Sequence, residues 1–180
     1  MVRPIALTGT PGTGKTSVAR HLVHLEVVEV RELARTWGLA RTVRGEVEVD
    51  LNAMIEVARG SRALGDVDVV VGHLAHFLPL RDVVVLRCHP LELERRLRKR
   101  TGRAARGRVD NVVAEATDVV LAEAVGPGRR VVQLDTTRRS TTSIAEGVRR
   151  FVRSRASLPG VPVDWLADAA VTDYLLDRAP

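Results

Sequence analysis

The sequence predicts an α/β fold in three layers, with a parallel five-stranded sheet between helices. Three observations carry this expectation. The run Gly9-Thr10-Pro11-Gly12-Thr13-Gly14-Lys15-Thr16 has the spacing G-x-x-x-x-G-K-[ST] and lies between an apolar strand-like segment and a helical one. Five short apolar runs, most of them rich in valine, alternate with segments of helical period, the pattern of strands joined by helical crossovers. Aromatic residues are 3% of the chain and apolar residues 45%. Valine, leucine and alanine therefore have to fill the core, which suits a parallel sheet buried on both faces.

Ile5-Ala6-Leu7 reads as the first strand and Ser17 to Val23 as the helix after the glycine loop. Glu26 to Val30 is the second strand. Arg31 to Trp37 is a short helix stopped by Gly38, and residues 39–50 read as a polar loop with an extended piece. Leu51 to Arg59 is a helix with Asp50 as its N-cap and Gly60 behind it. Val67 to Val71 is the third strand, leading into "GHLAHFLP", and Asp82 to Arg87 the fourth. Pro90 opens a helix at a favoured position and carries it to about Arg100. Residues 101–108 are rich in glycine and arginine. Val109 to Val125 has helical spacing until Gly126-Pro127-Gly128 breaks it. Val131 to Leu134 is the last strand and Ser143 to Ser154 the last long helix. Beyond it, Pro159 to Pro162 reads as a linker. Trp165, Leu166, Ala169, Ala170, Leu175 and Leu176 could line an apolar helix face, packed on the same domain or docked to a partner.

The glycine loop has a specific chemistry. Glycines allow the tight turn and bring backbone N–H groups to phosphate oxygens. In this pattern Gly12, Thr13, Gly14, Lys15, Thr16 and Ser17 bind the phosphates of a nucleoside triphosphate. Lys15 reaches the β- and γ-phosphates, and the Thr16 hydroxyl ligates Mg²⁺.

A chain of 180 residues is expected to form one domain with a substantial core. Its single cysteine, Cys88, excludes an internal disulfide and fits a reducing compartment. Cys88 ends an apolar run and reads as a core thiol. No export segment precedes the first strand and no apolar run is long enough to span a membrane, so a soluble cytoplasmic protein is expected. The net charge of +6 favours polyanionic partners such as nucleotides, RNA or ribosomes.

Several segments together resemble the adenylate kinase isoenzyme 6 family, the coilin-interacting nuclear ATPases, and above all its archaeal members. These are "LTGTPGTGKTSVARHL", "GHLAHFLP", "VVVLRCHPLELERRLRKR", "NVVAEATDVVLAEA" and "VVQLDTT", spread over roughly residues 3–152. The glycine loop alone is shared with many families; the Arg-Cys-His-Pro run and the Asn-x-x-x-Glu helix are the specific part. The resemblance implies a P-loop NTPase fold of the nucleoside monophosphate kinase type over residues 1–156, with an NMP-binding part at about 30–53, a lid at about 99–109 and a C-terminal tail, 157–180. It implies transfer of the ATP γ-phosphoryl group to AMP or a similar monophosphate, some ATPase activity, and work in small ribosomal subunit maturation beside a ribosomal protein and pre-ribosomal RNA.

Residue by residue, the resemblance makes Arg100 the lid arginine that binds ATP and stabilises the transferring phosphate, with Arg103, Arg106 and Arg108 nearby. Arg35 falls at the NMP-binding arginine. Arg138 falls near the adenine, with Arg139 competing. His73 matches the histidine of an acid-x-His motif at the C-terminal end of the third strand, while His76 fits the archaeal pattern without a derivable role. The acid of that motif is replaced by Val71. Asp66 and Asp68 are poor substitutes, roughly 10 Å or more away at the other end of the strand, at about 3.3 Å per residue. The lid lacks the aromatic of its relatives and is one residue longer, and "ARTVRGEVEVD" replaces their acidic NMP region. A weakly catalytic ATP-binding assembly factor therefore stands beside the kinase. A small GTPase is disfavoured, because no Asn/Thr-Lys-x-Asp run is present.

Overall fold

The computed structural model describes residues 3–43, 46–60, 63–99, 105–155 and 163–178. Five parallel strands form the central sheet: β1 (Ile5–Thr8), β2 (Val27–Glu29), β5 (Val69–Val71), β6 (Asp82–Arg87) and β7 (Arg130–Asp135), in the order β2-β5-β1-β6-β7. The second strand is thus separated from the first by β5, and β1 lies in the middle with a partner on each side. Side chains alternate across the strands. Ile5, Leu7, Val69, Val71, Val84 and Leu86 pack with Val18 and Leu22 near α1 (Lys15–Ala19) and with Ile144, Val148 and Phe151 of α7 (Thr141–Ser154). Ala6, Val70, Val83 and Val85 face the other way, toward α2 (Val30–Thr36), α3 (Leu51–Arg59) and Ala124 of α6 (Val119–Ala124). Two apolar faces on one sheet give the three layers.

Local chemistry sets several boundaries. The Asp50 carboxylate accepts from the Ala53 N–H and caps α3, and the Ser140 hydroxyl caps α7 from the Ser143 N–H. Pro90 stands at the start of α4 (Pro90–Arg98), where its missing N–H costs nothing. Gly38 turns the chain after α2 at φ 70°.

Three segments differ from the expectation. The polar stretch 39–50 is a β-hairpin, β3 (Ala40–Val43) against β4 (Glu46–Val49); its short alternation of valine with charged residues suits a ribbon with one covered face. The continuous helix expected over 109–125 is two helices, α5 (Ala105–Ala116) and α6, because Asp118 takes a left-handed φ of 59° between them. The tail carries a 3₁₀ turn, Trp165–Ala167, and a helix α8 (Ala169–Leu176). It packs on its own chain through Val171 and Tyr174, whereas Leu166, Ala169, Ala170 and Leu176 stay exposed. Of the face read from the sequence, Trp165 and Leu175 are half-buried and the other four residues are exposed, so that face is only partly the one that packs. Pro159 to Pro162, and residues 100–104 of the expected lid, lie outside the described residues. Among the described residues, no helix is long and apolar enough to cross a membrane.

Candidate active site

The glycine loop joins the C-terminal end of β1, the central strand, to α1, where ligands of parallel α/β sheets bind. Gly9 takes φ 140°, and a Cβ there would lie 2.4 Å from the Leu86 carbonyl oxygen. Gly14 takes φ 101° with open space where its side chain would be, so a ligand can approach the backbone closely. Thr13 is fully buried; its hydroxyl donates to the Thr10 carbonyl at 2.9 Å, and its own carbonyl accepts from the Thr136 hydroxyl at 3.0 Å. Lys15 crosses the loop, with Nζ donating to the carbonyls of Gly9 at 2.5 Å and Thr10 at 3.0 Å. Thr16 and Ser17 are exposed on the first turn of α1.

Two cavities flank this loop. The smaller, about 220 Å³, lies between Gly12, Thr13, Gly14 and Ser17 on one side and Arg96, Thr136, Arg139 and Thr141 on the other. Arg96 is fixed there by donating to Glu92 at 2.9 Å and to the carbonyls of Thr136 and Thr137 at 2.7 and 3.1 Å. Hydrogen bonds from Arg95 and Arg96 hold the Glu92 carboxyl down at about 2. Arg139 lines this cavity; Arg138, the sequence candidate, is exposed beside it and does not. The chain turns between β7 and α7, and a shift of one residue there points the side chain elsewhere.

The larger cavity, about 340 Å³, opens on the other side of the loop. Lys15, Thr16, Glu29, Arg31, Val71 and His73 line it, and Val47 and Val49 of the hairpin close it. His73 keeps an exposed edge at the mouth; its partial burial first, and then the nearby Lys15 and Arg31 cations and His76, hold its imidazole below the ordinary value. Arg31, not Arg35, is the arginine of this wall; Arg35 is exposed in the last turn of α2. Glu29 was not singled out by the sequence. It ends β2 in register with Val71 of β5, about 4.8 Å away across neighbouring strands. It thus brings a carboxylate beside Val71, the position where the resemblance expects an acid. Asp68 lies at the far end, where it accepts from the Glu26 N–H.

The Arg-Cys-His-Pro run and the Asn-x-x-x-Glu helix form the support of the loop. Arg87 and Glu115 are 1% and 2% exposed and pair at 2.9 Å. Arg87 also donates to Gln133 at 2.8 Å and to Asp118. The Glu115 carboxylate accepts from the Thr10 hydroxyl at 2.5 Å, the Cys88 N–H at 3.0 Å and the Trp165 indole at 3.3 Å. One buried carboxylate therefore ties the glycine loop, the end of β6, α5 and the tail together. Fully hydrogen-bonded burial of this kind suits a carboxylate. Cys88 is buried beside it, and desolvation pushes its thiol up to about 12, so it is a core thiol. His89 donates to Asp168 at 3.1 Å and holds that carboxyl below its usual range. His76, 1% exposed, acquires a role: Nε2 faces the Glu123 carboxylate at 3.1 Å and Nδ1 the Thr8 hydroxyl at 2.8 Å. A carboxylate only accepts, so Nε2 carries the proton and Nδ1 accepts from Thr8.

Arg100 and Arg103 lie outside the described residues, and the side chain of Arg106 is not described. Arg108 belongs to α5 and lines neither cavity.

Comparison with known proteins adds the family. A family described as "AAA domain" matches residues 5–118. A "Putative adenylate kinase" of Thermococcus onnurineus is 36% identical over 176 residues, covering 96% of this chain and 97% of that protein. One of Pyrococcus abyssi is 38% identical over 165 residues, covering 89% and 90%. The chain belongs to this adenylate kinase-like family. The match to the Thermococcus protein is too long to end near residue 152, so family likeness runs into the tail, beyond the range read from the sequence. The setting is the P-loop nucleoside monophosphate kinase superfamily. Among solved structures, a sugar kinase of Janibacter sp. HTCC2649 is 21% identical with a TM-score of 0.55, covering 95% of this chain and 98% of its own. The shikimate kinase of Acinetobacter baumannii is 15% identical with a TM-score of 0.52, covering 86% and 95%. Both share the fold.

Proposed function

We propose that the protein is a nucleoside monophosphate kinase that transfers the γ-phosphoryl group of ATP to AMP or a similar monophosphate. The observation that carries the reading is the pair of cavities on either side of one phosphate-binding loop. One lies toward Thr136 and Arg139 and suits the ATP nucleoside. The other holds Arg31, His73 and Glu29 and suits the acceptor. In the transfer, an oxygen of the acceptor phosphate bonds to the γ-phosphorus as the bond to the β-bridging oxygen breaks, and ADP leaves. Such reactions depend on positioning and charge neutralisation. Lys15 would follow the β- and γ-phosphates, and Arg31 would hold the acceptor phosphate with its planar fork. A neutral His73 would donate or accept one hydrogen bond at the mouth, and Arg100 would close from the lid side.

The donor set fits Mg²⁺. Oxygen ligands are what this ion takes, and it keeps several waters, so a hydroxyl and one carboxylate suffice from the protein. Thr16 would hold it and Glu29 would hold its water shell; the ion would neutralise phosphate charge. Lys15→Ala tests the reading: ADP formation from ATP and AMP should fall at least about 100-fold, the scale of losing one preorganised charge stabiliser, with the thermal midpoint nearly unchanged. An unaltered rate would remove the loop from the chemistry.

Val71 favours a second reading, in which the protein binds ATP, hydrolyses it slowly and serves as an assembly factor at the small ribosomal subunit, with a ribosomal protein and pre-ribosomal RNA as partners. Tight ATP binding with turnover indifferent to AMP would support it.

A further inference from the structure

The opposite edge of the sheet holds another concave site, built where the parallel strands begin. Arg3 precedes β1, Arg81 and Asp82 stand at the start of β6, Arg130 opens β7, and Arg153 and Arg155 lie at the end of α7. Together they surround a hollow of about 320 Å³. Among the described residues that line it, Asp82 is the only carboxylate. Arg130 Nε donates to Asp82 at 2.7 Å, and Arg155 Nη1 lies 3.4 Å from the other carboxylate oxygen. Arg130 also donates to the Arg155 carbonyl at 2.8 Å, and Arg155 to the Arg3 carbonyl. Among the described residues that line the hollow, five guanidinium groups thus meet one carboxylate, with Asp68 acting on Arg155 as well. Arg3, Arg81 and Arg153 pair with no carboxylate among the described residues.

Two further features show that the fold holds these cations in place at a cost. Arg155 follows α7 with a left-handed φ of 53°, a position where glycine is the usual residue. Its side chain folds back into the hollow, and Nη1 is buried with the long ion pair to Asp82 at 3.4 Å and no hydrogen bond. A buried donor held only by a long contact is less well satisfied than a hydrogen-bonded one. Burial first, and then the repulsion of Arg130, lower the pKa of Arg155, against the attraction of Asp82 and Asp68.

We propose that this hollow is a second anion site, which binds phosphate groups of a polyanionic ligand at the sheet edge opposite the glycine loop. Arginine forks match phosphate oxygens in pairs, and Arg3, Arg81 and Arg153 line the hollow without a carboxylate partner among the described residues. Phe151, the aromatic beneath Arg130, is fully buried, so no base can stack on it. The site therefore reads phosphate and not base identity. The phosphates come either from a free polyphosphate or from a nucleic-acid backbone.

The test uses the full chain with the glycine loop saturated by a non-hydrolysable ATP analogue. Inorganic tripolyphosphate is titrated calorimetrically, and a labelled twelve-nucleotide uridine RNA is followed by anisotropy across a salt series. Arg81→Glu with Arg153→Glu should weaken binding at least about 10-fold and flatten the salt slope by about two contacts. The equal charge change Arg20→Glu with Arg59→Glu, outside the hollow, should leave binding within about 2-fold. Arg81→Gln with Arg153→Gln repeats the test if the reversed pair does not fold. RNA displaced by tripolyphosphate identifies the backbone as ligand; tripolyphosphate binding without RNA binding identifies a small polyanion. Failure of both probes to bind the wild type, or equal losses in the two variant pairs, would overturn the proposal. The readout is binding alone, so it stands apart from whether the protein proves to be a kinase.

Discussion

Val71 occupies the position where the family resemblance places an acid, and Glu29 ends the neighbouring strand in register with it. If Glu29 carries the metal-facing role, Glu29→Gln should reduce the Mg²⁺-dependent gain in ATP affinity measured by calorimetry, and Val71→Asp in that background should restore it. Equal Mg²⁺ dependence in wild type and Glu29→Gln would remove the role. His76 makes a second prediction. Burial lowers its pKa in the folded protein, so the unfolded chain binds the extra proton first as pH falls below about 6.5. Its contribution to stability is complete above that pH and is lost as pH falls toward its lower folded value. His76→Gln should therefore show a shallower fall in thermal midpoint between pH 7.5 and 5.5 than wild type. The loop residues Gly12 to Ser17 were legible because backbone geometry and phosphate chemistry permit few residue types at those spacings. Glu29 and Arg31 were not, because a carboxylate ending an edge strand and an arginine opening a helix match many solvated surfaces. Only the return of both to one cavity marks them.

At the scale of elements, the five strands were readable from short valine-rich runs, and α3, α4 and α7 from their caps and apolar period. The hairpin β3–β4 was not, since it has few residues and one covered side. Yet it closes the larger cavity, the proposed acceptor site, with Val47 and Val49. Val47→Trp should raise the KM for AMP about 10-fold or more, an expected loss on the scale of about 1–3 kcal/mol for a misfit pocket contact, while the KM for ATP stays near its wild-type value. Equal effects on both substrates would mean that the hairpin does not separate the two sites. The break between α5 and α6 had no glycine or proline to announce it. Asp118 adopts its left-handed turn and accepts from Arg87, a tertiary partner that local sequence does not show. The tail likewise docks through His89, Glu115 and Tyr174, contacts that no periodicity predicts.

Over the whole molecule, the proposed sites divide between the two edges of one sheet. The C-terminal edge carries the glycine loop and its two cavities; the N-terminal edge carries the arginine hollow. Glu115 joins the loop to the tail, so the motif that made the family recognisable is the buried support of the site and not a group that meets substrate. In the proposed reaction the last phosphate of ATP passes to a second nucleotide. A direct assay follows γ-labelled ATP and Mg²⁺ with the full chain, with and without AMP. Label should appear in newly formed ADP only when AMP is present, and Lys15→Ala should abolish it. Label released as inorganic phosphate at the same rate with and without AMP would contradict the proposed transfer.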